Sequence, residues 1–223
     1  MTSAAAILDK PILQRRKWEQ DRYERIYSGK LERTDNMKEE FLMGYGASNH
    51  GHHALPLIRQ LNIQSLVDVG TGKGVFVQEA YQAGIREVYG YDFVITSDTF
   101  KAQLGMDGSA HGRKLVLGQA FAHALPLEDK SVEAVTSFDV LEHLWEDELD
   151  EVFKEWLRVA RKYWVLSISH VPSSFTVNGA NLHRTVQSPG WWRTKLSLIT
   201  GREVRLYRNP SLLGPPIYMW IAF

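Results

Sequence analysis

The sequence predicts an α/β domain: an open, mostly parallel sheet of seven strands, with helices on both faces and an antiparallel C-terminal edge. Two observations carry this reading. Residues 65–92 read as strand, glycine-rich turn, helix and second strand, a unit whose crossover helix makes its two strands parallel. Near the C-terminus two strand-like runs, 204–207 and 217–222, are joined by a proline- and glycine-containing turn and read as a closing pair.

Each element follows in order. Residues 1–40 are rich in charge and carry Ile12, Leu13, Trp18, Tyr23, Ile26 and Tyr27 at irregular helical spacing, which predicts one or two amphipathic helices broken at Gly29. The polar segment Gly44–His53 is expected to be an entrance loop, so that residues 1–53 cap a main domain at 54–223. Ala54–Asn62 predicts a helix packed before the first strand. Ser65–Val69 is short and apolar, as a buried strand is, and Gly70-Thr71-Gly72-Lys73-Gly74 ends it. Val75–Ala83 has helical apolar spacing, with Gly84 as its stop. Glu87–Tyr91 is the second strand, with Asp92 at its tip. Strands are predicted at Lys114–Leu117, Val132–Ser137 and Tyr163–Ile168. Between the last two lies a long helix, Leu144–Val159, whose apolar side carries Leu149, Val152, Phe153, Trp156 and Leu157. Ser169–Thr200 is a long excursion over the strand ends.

Composition narrows the class further. Lysine plus arginine and aspartate plus glutamate number 26 each, so the formal net charge is zero and no general attraction to nucleic acid or an anionic membrane is expected. Cysteine is absent, which excludes disulfides and thiolate-built zinc or iron–sulfur sites. No apolar stretch approaches the roughly 18–20 residues that span a bilayer. The opening MTSAAAILDKPILQRRKW places its apolar piece before its basic cluster, the wrong order for a secretory signal, so a soluble, cytoplasmic protein is expected.

The chemistry begins at Asp68-Val69-Gly70-Thr71-Gly72-Lys73-Gly74. Glycines at alternate positions permit a sharp turn and close backbone approach to a ligand, ahead of a helix N-terminus. Asp92, at the next strand tip, is placed to accept hydrogen bonds from ribose hydroxyls. Here the chain resembles the class I S-adenosylmethionine-dependent methyltransferases, whose sheet is Rossmann-like. Asp68–Gly74 stands where that family has its acidic, glycine-rich first motif, and Asp92 matches the acid that holds the cofactor ribose. Ala124–Glu133 is similar to the family's segment leading into its fourth strand, and Ser137–Leu144 (SFDVLEHL) to the stretch just after it. The resemblance covers roughly residues 55–168 and implies S-adenosyl-L-methionine as cofactor. It implies a cofactor site of Asp68, Gly70, Thr71, Gly72, Gly74, Asp92, Phe93, Gln119, Ala120, Phe121 and Asp139. Two departures stand out. Gln119 occupies the third loop where an acid often receives the adenine amino group, and Glu133 stands where aspartate is commoner.

Methyl transfer requires a nucleophile aligned with an electrophilic methyl group, and a hydroxyl nucleophile also needs its proton removed. His183 and His170, in the excursion after the fifth strand, are the candidate general bases. Tyr45, His50, His143, Arg184, Trp191 and Trp192 are the candidate acceptor-binding residues. No metal is expected, because the chemistry requires none and Asn49, His50, His52 and His53 lack a fixed zinc spacing. The reading is O-methylation of a small metabolite or saccharide. The alternatives are N-methylation, RNA methylation through Arg15–Lys17 and Trp191–Lys195, or a non-catalytic nucleotide-binding module. Neutral overall charge disfavours nucleic acid, no paired Tyr–Lys motif supports a nicotinamide dehydrogenase, and the oligomeric state is open.

Overall fold

The computed structural model describes residues 7, 9–30, 35, 50–95, 112–208 and 217–223. Five parallel strands form the body of the sheet: β1 (Ser65–Val69), β2 (Glu87–Asp92), β3 (Lys114–Gln119), β4 (Val132–Phe138) and β5 (Ala160–Ser167). A two-stranded hairpin of β6 (Thr176–Val177) and β7 (Ala180–Asn181) stands apart from it. β8 (Arg205–Arg208) and β9 (Ile217–Ala222) add the antiparallel edge, giving the order β3-β2-β1-β4-β5-β9-β8. The order reverses between β1 and β4. In open sheets of this kind ligands bind at that reversal, beyond the carboxyl ends of the strands.

β1 is buried at every position, because its neighbours pair on both edges and helices cover both faces. That double burial is why Leu66, Val67 and Val69 are apolar on both faces, and why the buried Asp68 needs the hydrogen bond from Thr136 Oγ1. Side chains then divide by parity. Leu66, Val88, Leu117, Ala134 and Val165 face one layer, packed by Leu57 and Ile58 of α2 (His50–Gln60) and by Phe76, Val77 and Ala80 of α3 (Val75–Gln82). Val67, Val69, Tyr89, Trp164 and Leu166 face the other, packed by α4 (Leu149–Val159) and α5 (Pro189–Thr200). At the centre of that second layer Trp156 and Trp164 meet edge to face, their ring centroids 5.6 Å apart, and both are fully buried. Burying an aliphatic or aromatic side chain of this size contributes roughly 1.5–3 kcal/mol.

Three boundaries differ from the sequence expectation. α2 begins at His50, so His50–His53 form a helical turn and not part of an entrance loop. Its first turn packs closely on α3, since a Cβ on Gly51 would lie 2.4 Å from the Phe76 ring. The predicted helix 144–159 begins only at Leu149, because Leu141–His143 and Glu146–Glu148 are tight 3-10 turns separated by an extended Leu144 and the buried Trp145. β5 begins at Ala160, directly after α4.

Above the strand tips lies α1 (Ile12–Tyr27), ended where Gly29 takes φ +70°. Tyr23 and Ile26 pack on Val94, Val177 and Leu182, which joins the N-terminal helix to the end of β2 and to the β6–β7 hairpin. Arg22 is fully buried and fixes this contact: it pairs with Glu19 at 2.6 Å and donates to Val177 O and Ala180 O, each at 3.1 Å. Arg16 pairs with Glu148 at 2.7 Å and Glu151 at 2.6 Å, tying the same helix to the start of α4. Among the described residues no helix is long and apolar enough to cross a membrane.

Candidate active site

The reversal point between β1 and β4 opens into a cavity of about 600 Å³. Its floor is the first glycine loop. Gly70 N and Thr71 N both donate to Tyr91 O, at 2.8 and 3.2 Å, so the loop folds back over the end of β2. Gly70 takes φ +78°, and a Cβ there would lie 2.3 Å from Val140 Cγ2, so no larger residue fits the turn as it stands. Gly74, at φ +75°, serves as the N-cap of α3 and lies off the cavity wall. The cradle of Gly70, Thr71 and Gly72 therefore brings backbone to the cavity surface, as a nucleoside-bearing ligand needs.

Two buried carboxyls support the loop. Asp92 Oδ2 accepts from Gly72 N at 2.8 Å and Oδ1 from Val94 N at 3.0 Å. Burial pushes its carboxyl up to about 6 against these hydrogen bonds. Asp68 accepts from Thr136 Oγ1 at 2.8 Å and is pushed up to about 7, again by burial first. Both line the cavity, Asp92 at the β2 tip with unused lone pairs for ribose hydroxyls.

Beyond Asp92 the wall is aromatic. Tyr23 packs on Phe93 with centroids 5.1 Å apart, and Phe121 lies over His123 at 5.4 Å and 30°. Phe93, Ala120 and Phe121 line the cavity. Gln119 does not: it is exposed, and its amide donates to Phe93 O at 2.9 Å.

Across the cavity Asp139 follows β4 at φ +56°, a left-handed conformation that aspartate tolerates. It accepts from Ser167 Oγ at 3.1 Å and pairs with His50 Nδ1, which raises the His50 pKa. Next come Glu142, His143 and His183. His143 Nδ1 lies 3.1 Å from Leu182 O and 2.6 Å from Tyr23 Oη, and His183 Nδ1 lies 2.6 Å from Val171 O. A carbonyl only accepts, so each Nδ1 carries the hydrogen and each Nε2 carries a lone pair, an assignment made from the hydrogen-bond network. Burial lowers both imidazole pKa values, that of His143 to about 3, so both rings are neutral at pH 7.

The remaining expected acceptor residues fall elsewhere. His170 is exposed and off the cavity wall. The expected substrate wall of Trp191 and Trp192 is corrected: Trp192 is fully buried and Trp191 packs beside it, because α5 turns both onto the sheet. Arg184 is committed to Glu19 at 2.5 Å and stacks on Trp18 and Trp145. Tyr45 lies outside the described residues. What sequence reasoning missed is the roof. Arg16, Glu19, Tyr23 and Tyr27 of α1 all line the cavity, and their spacing of three and four residues marks one helical face.

Comparison with known proteins places these features. A family model described as a methyltransferase domain matches residues 67–165. Comparison with curated protein sequences gives no match. Among solved structures the chain is similar to the Synechocystis PCC 6803 magnesium protoporphyrin IX methyltransferase with bound SAH. That alignment has 17% identity and a TM-score of 0.59, and covers 92% of this chain and 94% of that one. The Burkholderia thailandensis 1,6-didemethyltoxoflavin-N1-methyltransferase aligns at 13% identity and a TM-score of 0.65, over 96% of this chain and 92% of that one. The methyltransferase domain of bacterial CtHen1 aligns at 16% identity and a TM-score of 0.57, over 78% and 98%. At these identities the likeness is one of fold. With the family match spanning the glycine loop, Asp92 and the Asp139–His143 turn, residues 67–165 form a class I S-adenosylmethionine-dependent methyltransferase domain.

Proposed function

We propose that the chain methylates a hydroxyl oxygen of a small metabolite or saccharide. The supporting observation is His183: a neutral imidazole on the cavity wall, its Nδ1–H engaged by Val171 O and its Nε2 carrying the lone pair. When bound, S-adenosylmethionine supplies an electrophilic methyl group on a sulfonium. Gly70–Gly72 and Asp92 would hold its nucleoside end and Asp139 its amino-acid end, and His183 Nε2 would take the proton of the acceptor hydroxyl as that oxygen is methylated. The roof of α1 excludes water and sets the size of acceptor admitted. A cavity of about 600 Å³ suits a small molecule, being within the roughly 300–1,000 Å³ common for such sites.

Part of the basic surface that the RNA alternative needs is already engaged within the chain. Arg15 and Arg16 are paired with Asp147, Glu148 and Glu151, Lys195 with Asp150 at 2.6 Å, and Trp192 is buried. The test is a calorimetric titration with S-adenosylmethionine and S-adenosylhomocysteine, with NAD as control. A screen of saccharides, phenols, amines and RNA follows, read by mass spectrometry. An O-methylated small molecule is expected, and His183→Ala should suppress turnover with S-adenosylhomocysteine affinity near normal. Methylation of amines or RNA alone, or equal turnover by His183→Ala, would overturn the proposal.

A further inference from the structure

Glu142, His143 and His183 each offer one donor atom, and the three atoms lie within 4.8 Å of one another. They come from two separate segments, the 3-10 turn after β4 and the stretch after the β6–β7 hairpin, brought together at the cavity wall. We propose that these three residues bind one divalent first-row transition-metal cation.

Two independent features support it. First, both imidazoles are oriented by backbone carbonyls at Nδ1, Leu182 O for His143 and Val171 O for His183. That arrangement fixes the tautomer that presents an Nε2 lone pair, and it recurs behind metal-bound histidines. Second, Glu142 is fully buried. Its Oε1 accepts from Ser169 N at 3.0 Å, while Oε2 has no hydrogen-bond partner among the described residues. A buried carboxylate oxygen without a donor is costly, and a proton, an ordered water or a cation satisfies it.

The donor set decides the metal. Two imidazoles and one carboxylate suit manganese, iron, cobalt or zinc better than calcium or magnesium, and three protein ligands leave positions open. Metal–nitrogen distances near 2.1 Å place neighbouring ligands about 3–3.5 Å apart, so the donors need to close slightly from 4.8 Å. Both histidines are partly buried, and His183, carried on a separate segment from Glu142 and His143, is the ligand whose shift would close the set. The inference rests on the proposed hydroxyl acceptor for its use but not for its existence: open positions would hold acceptor oxygens. A cation and a proton compete for the same His183 lone pair, so metal loading and general-base action by that residue are alternative states.

The test is titration of the full chain with MnCl2, CoCl2 and ZnCl2, read by calorimetry and, for cobalt, by visible absorption. One saturable equivalent is expected for at least one metal, weakened at least tenfold in Glu142→Gln and in His183→Ala, the loss of a ligand costing no less than the 10–100-fold typical of an outer-shell partner. His52→Ala, a surface histidine paired with Glu79, should bind as the wild type does. Circular dichroism checks the fold, and His183→Ala serves where Glu142→Gln fails to fold. No saturable binding up to millimolar metal, or unchanged binding in both folded variants, overturns the site and leaves Glu142 a protonated acid. S-adenosylhomocysteine titration of the same samples keeps the two readings separate. Its binding without metal binding defeats this inference alone; metal binding without it defeats the methyl-transfer reading alone.

Discussion

Asp92 carries two loads at once, and Asp92→Asn separates them from the bulk of the fold. Its carboxylate receives Gly72 N and Val94 N, one on each oxygen, and both bonds are buried. An asparagine of the same shape keeps one acceptor and turns its NH2 toward the other backbone N–H. One buried donor is then left unpaired, at a cost of about 1–3 kcal/mol. Because burial raises the Asp92 pKa, losing its charge returns part of that cost, so the lower half of the range is expected for stability. Binding should suffer more. A hydrogen bond to a charged acceptor contributes about 1.5–3 kcal/mol, which at about 1.4 kcal/mol per decade is on the order of 10–150-fold in S-adenosylhomocysteine affinity. Urea unfolding followed by tryptophan fluorescence, the chain having seven tryptophans, measures the first quantity. Calorimetry measures the second. A variant that unfolds at the wild-type midpoint and binds within twofold of wild type would refute both roles.

Two further outcomes follow from the same geometry. Arg22→Met should free α1 from the β6–β7 hairpin, since it strips Glu19 of one partner and leaves Val177 O and Ala180 O unpaired; about 3–5 kcal/mol is expected. Hydrogen exchange should then quicken in residues 12–27, and unchanged protection there would count against the role. Asp68 is pushed up to about 7, so its contribution to stability is fully present below about pH 4 and is lost as pH rises through 7. Asp68→Asn does not titrate and should gain on the wild type between pH 5 and pH 8, by a few kcal/mol at most at about 1.4 kcal/mol per pKa unit. Parallel urea midpoints across that range would contradict it.

The legible part of this chain was the part whose signals are local. The β1–α3–β2 unit could be read because Leu66, Val67 and Val69 mark a doubly covered strand, and because the glycine loop and Asp92 stand at the tips of β1 and β2. The seven-strand sheet and its antiparallel edge emerged as expected. What could not be read was tertiary. Trp191 and Trp192 look alike in sequence, and only the rotation of α5 sends both to the sheet. Arg184 looked like an anion receptor because nothing local shows that Glu19, 165 positions away, neutralises it. The same distance hid the roof of the cavity, for α1 has an ordinary charged surface until its partners near Glu148 and Val177 are known.

That separation also orders events during synthesis. The guanidiniums of Arg16 and Arg22 find Glu148, Val177 O and Ala180 O only across 132 or more positions of chain, so the α1 side of the cavity can close only after those later residues have been made.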